Sequence, residues 1–157
     1  MEAKNERVCQ MTTAVIAIFM LMTGGYIYIV YRDTSLLMFH WADSLRLETL
    51  VQVIREWGQV WEVDEWTKFC LPDGLWAASY MMLMWLVWQK STTGCRMTWV
   101  LILPIIALLS ELSQGIGLLT GTFDIGDVIS FSIPISIYLL YEYHHKKNFE
   151  NKNIRCN

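Results

Sequence analysis

The chain has 157 residues, of which 54% are hydrophobic and only 17% charged, with a net charge of −3. Ordinary soluble domains run at roughly 45–50% apolar and about 25% charged. The few charges are gathered into blocks with long uncharged runs between them, a pattern that excludes a bundle of soluble helices, each with one wet face, and points to a single membrane domain.

Four stretches reach the ~20 residues of helix that a bilayer core requires. The first runs from about residue 10 to 31. Lys4 and Arg7 precede it as they would a signal peptide, but its apolar run is longer than a signal core of about 7–15 residues and no A-x-A pattern follows, so it reads as a retained anchor. The loop from 32 to 70 comes next and holds seven acids and four bases, which disfavours nucleic acid as a partner. Within this loop Leu47, Leu50, Val51, Ile54, Trp57 and Trp61 recur at spacings of three and four, while Arg46, Glu48, Gln52, Arg55 and Glu56 take the other side. That spacing predicts an amphipathic helix lying at the membrane interface, over about residues 44–61.

The remaining spans are expected at about 71–89, 97–119 and 125–143, followed by a basic tail from 144 to 157. Tyr26, Tyr28, Tyr31, Trp85, Trp88, Trp99, Tyr141 and Tyr143 fall toward span ends, as interfacial aromatics do. Eight Lys and Arg residues (Lys4, Arg7, Lys90, Arg96, Lys146, Lys147, Lys152, Arg155) lie on one side against four (Arg32, Arg46, Arg55, Lys68) on the other. This asymmetry predicts both termini in the cytoplasm. The expected fold is therefore all-α, a four-transmembrane-helix bundle with an interfacial helix between spans 1 and 2.

Cys9, Cys95 and Cys156 fall on the predicted inner side and Cys70 alone outside, so no intramolecular disulfide is expected. No cysteine has a partner at metal-ligand spacing, and His144 and His145 stand in the basic tail, so spacing sets aside metal capture by thiol and imidazole. There is no phosphate-binding glycine loop, no nucleophile elbow and no zinc-binding helix.

Polar groups inside the spans carry the functional signal. Asp73, Glu111, Gln114, Asp124 and Asp127 all lie toward the outer leaflet in this topology. Glu111 and Gln114 are three residues apart and share a helix face, with Ser110 and Ser113 nearby. Gly115 and Gly117 leave room for another helix or a ligand, and Pro104 and Pro134 free backbone carbonyls near Val100 and Ser130. Asp124 is placed as an N-cap, Asp127 as the third residue of the same helix, and Asp73 behind Pro72 at another helix start, where a carboxylate meets a favourable dipole. Glu111 has no such explanation, since a helix interior satisfies its own backbone. The expected arrangement is an outward-facing acidic pocket, with Glu111 and Gln114 at its floor and Asp73 and Asp127 at its rim.

The stretch "ELSQGIGLLTGTFDIGDVI" resembles the second signature of the VanZ-like membrane proteins, a Glu-x-x-Gln pair in one helix followed by a loop and an Asp that opens the next. "LPDGLWAASY" is similar to the first signature, a Pro-Asp at the start of an earlier span. Small VanZ-like proteins of Bacteroidota share the look of "LLMFHW", "LPDGLW" and "GTFD", and the likeness covers roughly residues 31–131. It implies an inner-membrane, cell-envelope setting and picks out Asp73, Glu111, Gln114 and Asp127. Where the family often has a His one turn after the first Asp this chain has Trp76 and Ala77; its loop Arg is replaced by Gly121 and Thr122, and its Asn after the last Asp by Phe131.

Four functions compete. The first is an envelope accessory protein whose pocket, lined by Asp73, Trp76, Glu111, Gln114, Asp124 and Asp127, takes a polar, cationic or lipid-headgroup ligand, or a cell-wall intermediate. No cofactor is required, although carboxylates without a basic partner would need a bridging Mg²⁺ or Ca²⁺ to hold a phosphate. The second is a small oligomeric transporter that cycles Glu111, and the third an intramembrane enzyme using Glu111 and Asp127 as acid and base. The enzyme reading is disfavoured because Ser110 and Ser113 lack a His or Lys partner. The fourth is a structural subunit docking another membrane protein, or a further copy of itself, through the outer helix. In all four the lipid bilayer is the primary partner.

Overall fold

The computed structural model describes residues 2–155, and it is all-helical over them. Seven helices follow in chain order: α1 (Glu2–Tyr31), α2 (Leu37–Ser44), α3 (Glu48–Gly58), α4 (Glu65–Phe69), α5 (Leu71–Trp88), α6 (Thr93–Gly115) and α7 (Ile125–Arg155). The segments Lys4–Tyr31, Thr93–Gly115 and Ile125–Lys147 are long and apolar enough to cross a membrane. Their outward faces fit that role. Met11, Val15, Phe19 and Met22 on α1, Ile106 and Leu109 on α6, and Ile137 and Leu140 on α7 are all exposed, where a soluble protein of this size would show a polar surface.

Helix α5 is the centre of the assembly and packs against α1, α4, α6 and α7. It is apolar too, but Pro72, Asp73, Tyr80 and three tryptophans dilute its aliphatic content. The Ser79 hydroxyl donates to the Ala17 carbonyl at 2.8 Å, a fully buried bond between α5 and α1. Gly24 lets those helices close: a Cβ there would stand 2.8 Å from Trp76 Nε1 and 3.2 Å from the Pro72 carbonyl. On the other side of α5, Met81, Val100 and Tyr138 form a core joining α5, α6 and α7, with Met84, Trp85, Met97 and Ile135 around it.

Two helix boundaries correct the sequence reading. The third span, expected over 97–119, is α6 and ends four residues earlier, at Gly115. Gly117 is the reason. Its φ of 74° places it in the left-handed region, the Gly117 N–H donates to the Gln114 carbonyl at 3.0 Å and the Leu118 N–H to the Ser113 carbonyl at 2.9 Å, which is a Schellman stop. The helix expected over 44–61 is α3, and it starts only at Glu48, because Arg46 breaks it from α2 with a φ of 59°. Both prolines sit inside α6 and α7, which run through them.

The face of α3 also differs. Val51, Ile54 and Gly58 turn inward toward α1, but so does Arg55, which periodicity put on the polar side. Its Nη1 donates to the Ile29 carbonyl at 2.7 Å and the Arg32 carbonyl at 2.8 Å. Those carbonyls belong to the end of α1, where four acceptors always lack an intrahelical partner. Gln59 Nε2 takes the Val30 carbonyl at 3.3 Å, and the Tyr31 hydroxyl reaches the Gly58 and Trp61 carbonyls at 3.2 and 3.0 Å. Leu50, Val53, Trp57 and Trp61 remain exposed.

Candidate functional site

Four helix ends converge at the level of α4. The last turns of α1 and α6 meet the first turns of α5 and α7, and each brings a charged or polar side chain. Asp73 is the third residue of α5 and Asp127 the third of α7, where the partial positive charge of a helix start favours a carboxylate. Glu111 lies in the last turn of α6, roughly 6 Å from its end at 1.5 Å per residue. It is therefore shallower than a helix running to 119 implied, though still farther from its helix end than Asp73 or Asp127. It does sit at the negative end of its helix, the wrong end for an acid.

Asp73, Asp127 and Glu111 are close enough for their charges to act on one another. Gln114 Nε2 approaches Glu111 Oε1 at 3.5 Å, and Gly121, with a φ of 152°, leaves the room that the Gln114 side chain fills. Among the described residues, Glu111 Oε2, Asp127 Oδ1 and Ser130 Oγ are buried without a hydrogen-bond partner. Gly74 sets the crossing of α5 and α7 beside them, its missing Cβ standing 3.1 Å from the Ser130 carbonyl. That carbonyl is the one Pro134 deprives of an amide donor. Asp124 is exposed and caps α7, accepting the Gly126 N–H at 2.7 Å.

Sequence reasoning missed Arg32. The acidic pocket was expected to lack a basic partner, yet Arg32 Nη2 stands 3.0 Å from the Phe69 carbonyl and 3.5 Å from Asp73 Oδ2. Its guanidinium lies over the Tyr28 and Phe69 rings at 5.5 and 5.3 Å, and its Nε is buried without a partner among the described residues. The available signal was "YIYIVYR": an arginine at the very end of a span, one turn after a tyrosine. A guanidinium there suits the negative end of α1. Trp76, three residues after Asp73 on α5, turns its ring toward α1. Its ring packs on Tyr28, centroids 5.1 Å apart, and on Gly24, so it props the aromatic platform under Arg32.

Cys70 is the second surprise. Spacing gave it no metal-binding neighbour, but the fold brings residues 54 apart together, and Cys70, Asp124 and Asp127 offer ligand atoms that all lie within 4.8 Å of one another. Cys70, Cys9 and Cys95 are free thiols; Cys156 lies outside the described residues. Burial, and then the charges of Asp127, Asp124 and Asp73, push the Cys70 thiol up to about 12. A thiol held protonated is a poor nucleophile. At neutral pH a soluble maleimide is thus expected to label the exposed Cys9 rapidly and Cys70 only after denaturation; equal labelling of native Cys70 would refute its burial.

No family model, curated protein or solved structure matches the chain. The site is therefore read from its own chemistry: one cation and three carboxylates at the meeting point of four helices, with unsatisfied groups of both kinds.

Proposed function

We propose that this is a VanZ-like four-span protein of the bacterial inner membrane, with both termini cytoplasmic, acting as a cell-envelope accessory protein that binds a zwitterionic polar headgroup at its outer face. The parity of the chain supports four crossings. For the ends of α1 and α6 to meet the starts of α5 and α7, α5 must run antiparallel to α1 and α6 and parallel to α7, and its 18 residues cover about 27 Å of a hydrocarbon core about 30 Å thick. The excess of Lys and Arg on the opposite side supports an outward-facing site. The exposed row of Leu50, Val53, Trp57 and Trp61, together with Trp41 and Leu45, supports an interfacial seat for α2 and α3.

One observation carries the ligand. Among the described residues the site holds a donor without a partner, Arg32 Nε, and acceptors without one, Glu111 Oε2 and Asp127 Oδ1. Buried polar atoms left unmatched are costly, and a headgroup with an anionic group for Arg32 and an ammonium for Glu111 and Asp127 matches both. Neutralisation favours the same choice, because three carboxylates face one guanidinium. Arg32 also removes the need for a bridging cation to hold a phosphate.

The test is native mass spectrometry of the protein taken from nanodiscs of mixed phosphoethanolamine and phosphoglycerol lipids. Selective retention of the zwitterionic lipid is expected, falling about tenfold in Glu111→Gln and in Asp127→Asn, the equivalent of one charge-assisted hydrogen bond at about 1.5 kcal/mol. Unchanged retention in both variants would overturn the reading.

A further inference from the structure

We propose that Cys70, Asp124 and Asp127 form a binding site for a single divalent cation of the zinc class, with one thiolate and two carboxylates as ligands. The site goes beyond the headgroup reading and shares only Asp127 with it. Each residue comes from a different local feature: Cys70 precedes the first turn of α5, Asp124 caps α7, and Asp127 lies in the first turn of α7. Their ligand atoms lie within 4.8 Å of one another. A tetrahedral ion with bonds of roughly 2.0–2.3 Å holds its ligand atoms about 3.3–3.8 Å apart, so these side chains must draw together by up to about 1.5 Å on binding.

The surroundings favour a cation rather than a plain hydrogen bond. Cys70 is only 4% exposed, and its contact with Asp124 Oδ2, at 4.0 Å, is at the outer limit for a thiol. Asp127 Oδ1 is buried with no partner among the described residues. Gly126 makes the approach possible, because Cys70 Sγ occupies the space a Cβ would take. Around the three ligands stand Asp73 and Glu111, whose charges add to the negative field, and Arg32 as the opposing cation. Asp124 is exposed, which leaves a side open for entry and for a water as fourth ligand.

The thiol selects the metal. Carboxylates alone suit Mg²⁺ or Ca²⁺, whereas a sulfur ligand moves the preference to Zn²⁺ and its heavier congener Cd²⁺. On binding, the S–H bond breaks, a sulfur–metal bond forms, and the proton passes to solvent.

The experiment titrates Cd²⁺ into the purified full-length chain in detergent micelles and reads the ultraviolet thiolate-to-metal charge-transfer band. The band is expected to saturate at a single equivalent, to persist when Cys9, Cys95 and Cys156 are all changed to Ser, and to vanish in Cys70→Ser. Asp124→Asn keeps a side chain able to cap α7 but should weaken binding at least about tenfold, the low end of what even outer-shell losses cost. Glu111→Gln should leave the band intact, which separates this site from the headgroup reading. A band that survives in Cys70→Ser, is absent from the protein whose sole cysteine is Cys70, or ignores Asp124→Asn overturns the proposal. Should the triple variant not fold, bound zinc counted in wild type against Cys70→Ser decides it: equal metal content is a refutation.

Discussion

Replacing Arg96 by alanine is expected to destabilise the protein by about 3–5 kcal/mol, the usual result of stripping one partner from a buried ion pair. Arg96 Nε and Nη2 hold the two oxygens of Glu142 at 3.0 Å each, and Nη1 reaches the Gln89 carbonyl at 3.4 Å. The side chains are 14% and 9% exposed. The clamp thus fastens the start of α6 to α7 and to the end of α5, beside the stacked Trp88 and Trp99 rings. Without the guanidinium, the Glu142 charge is left in a nearly dry site. An apolar pair, Arg96→Met with Glu142→Leu, should recover much of the loss, because what the single change costs is chiefly the orphaned charge rather than the net value of the bridge. Denaturant unfolding in detergent measures both. A loss below about 1 kcal/mol in Arg96→Ala would mean that the pair behaves like a solvated surface bridge.

Arg32→Gln should produce the largest effect at the opposite end. It removes the only guanidinium among the charges described at the site, together with its bond to the Phe69 carbonyl and its seat over Tyr28 and Phe69. Asp73 would then face Asp127 and Glu111 with nothing opposing them. A stability loss of about 1.5–3 kcal/mol is expected, the value of charged hydrogen bonds, along with a fall in headgroup retention of about tenfold or more. Adding Asp73→Asn should restore part of the stability, through a coupling of about 0.5–3 kcal/mol between neighbours, but not the retention. Recovery of both would show that Arg32 serves the fold alone.

The contrast between these two arginines shows how far the sequence carries. The long apolar helices were legible because composition and length speak directly to the bilayer, and Asp124 as a cap was legible because an Asp before an apolar run is a local signal. The gathering of Asp73, Glu111 and Asp127 at one end followed from alternating the direction of successive helices. What was not legible depended on partners distant in the chain. Arg55 looked like a solvent-facing residue on an amphipathic helix, and nothing within its own turn reveals that it completes α1. Cys70 looked isolated because its neighbours lie more than fifty positions away. The depth of Glu111 was misjudged for a local reason: either glycine in "QGIG" could have ended the helix, and only the left-handed backbone at Gly117 decides where it stops.

The grip of Arg55 on the Ile29 and Arg32 carbonyls also sets an order of assembly. As the polypeptide is made, the terminus of the first helix emerges more than twenty residues ahead of the side chain that completes it, and until α3 folds back its final turn is free to fray. Arg32 belongs to that turn. The guanidinium of Arg32 is consequently oriented only after α3 has docked, so an insertion between α2 and α3 would disturb it from a distance while leaving every carboxylate in place.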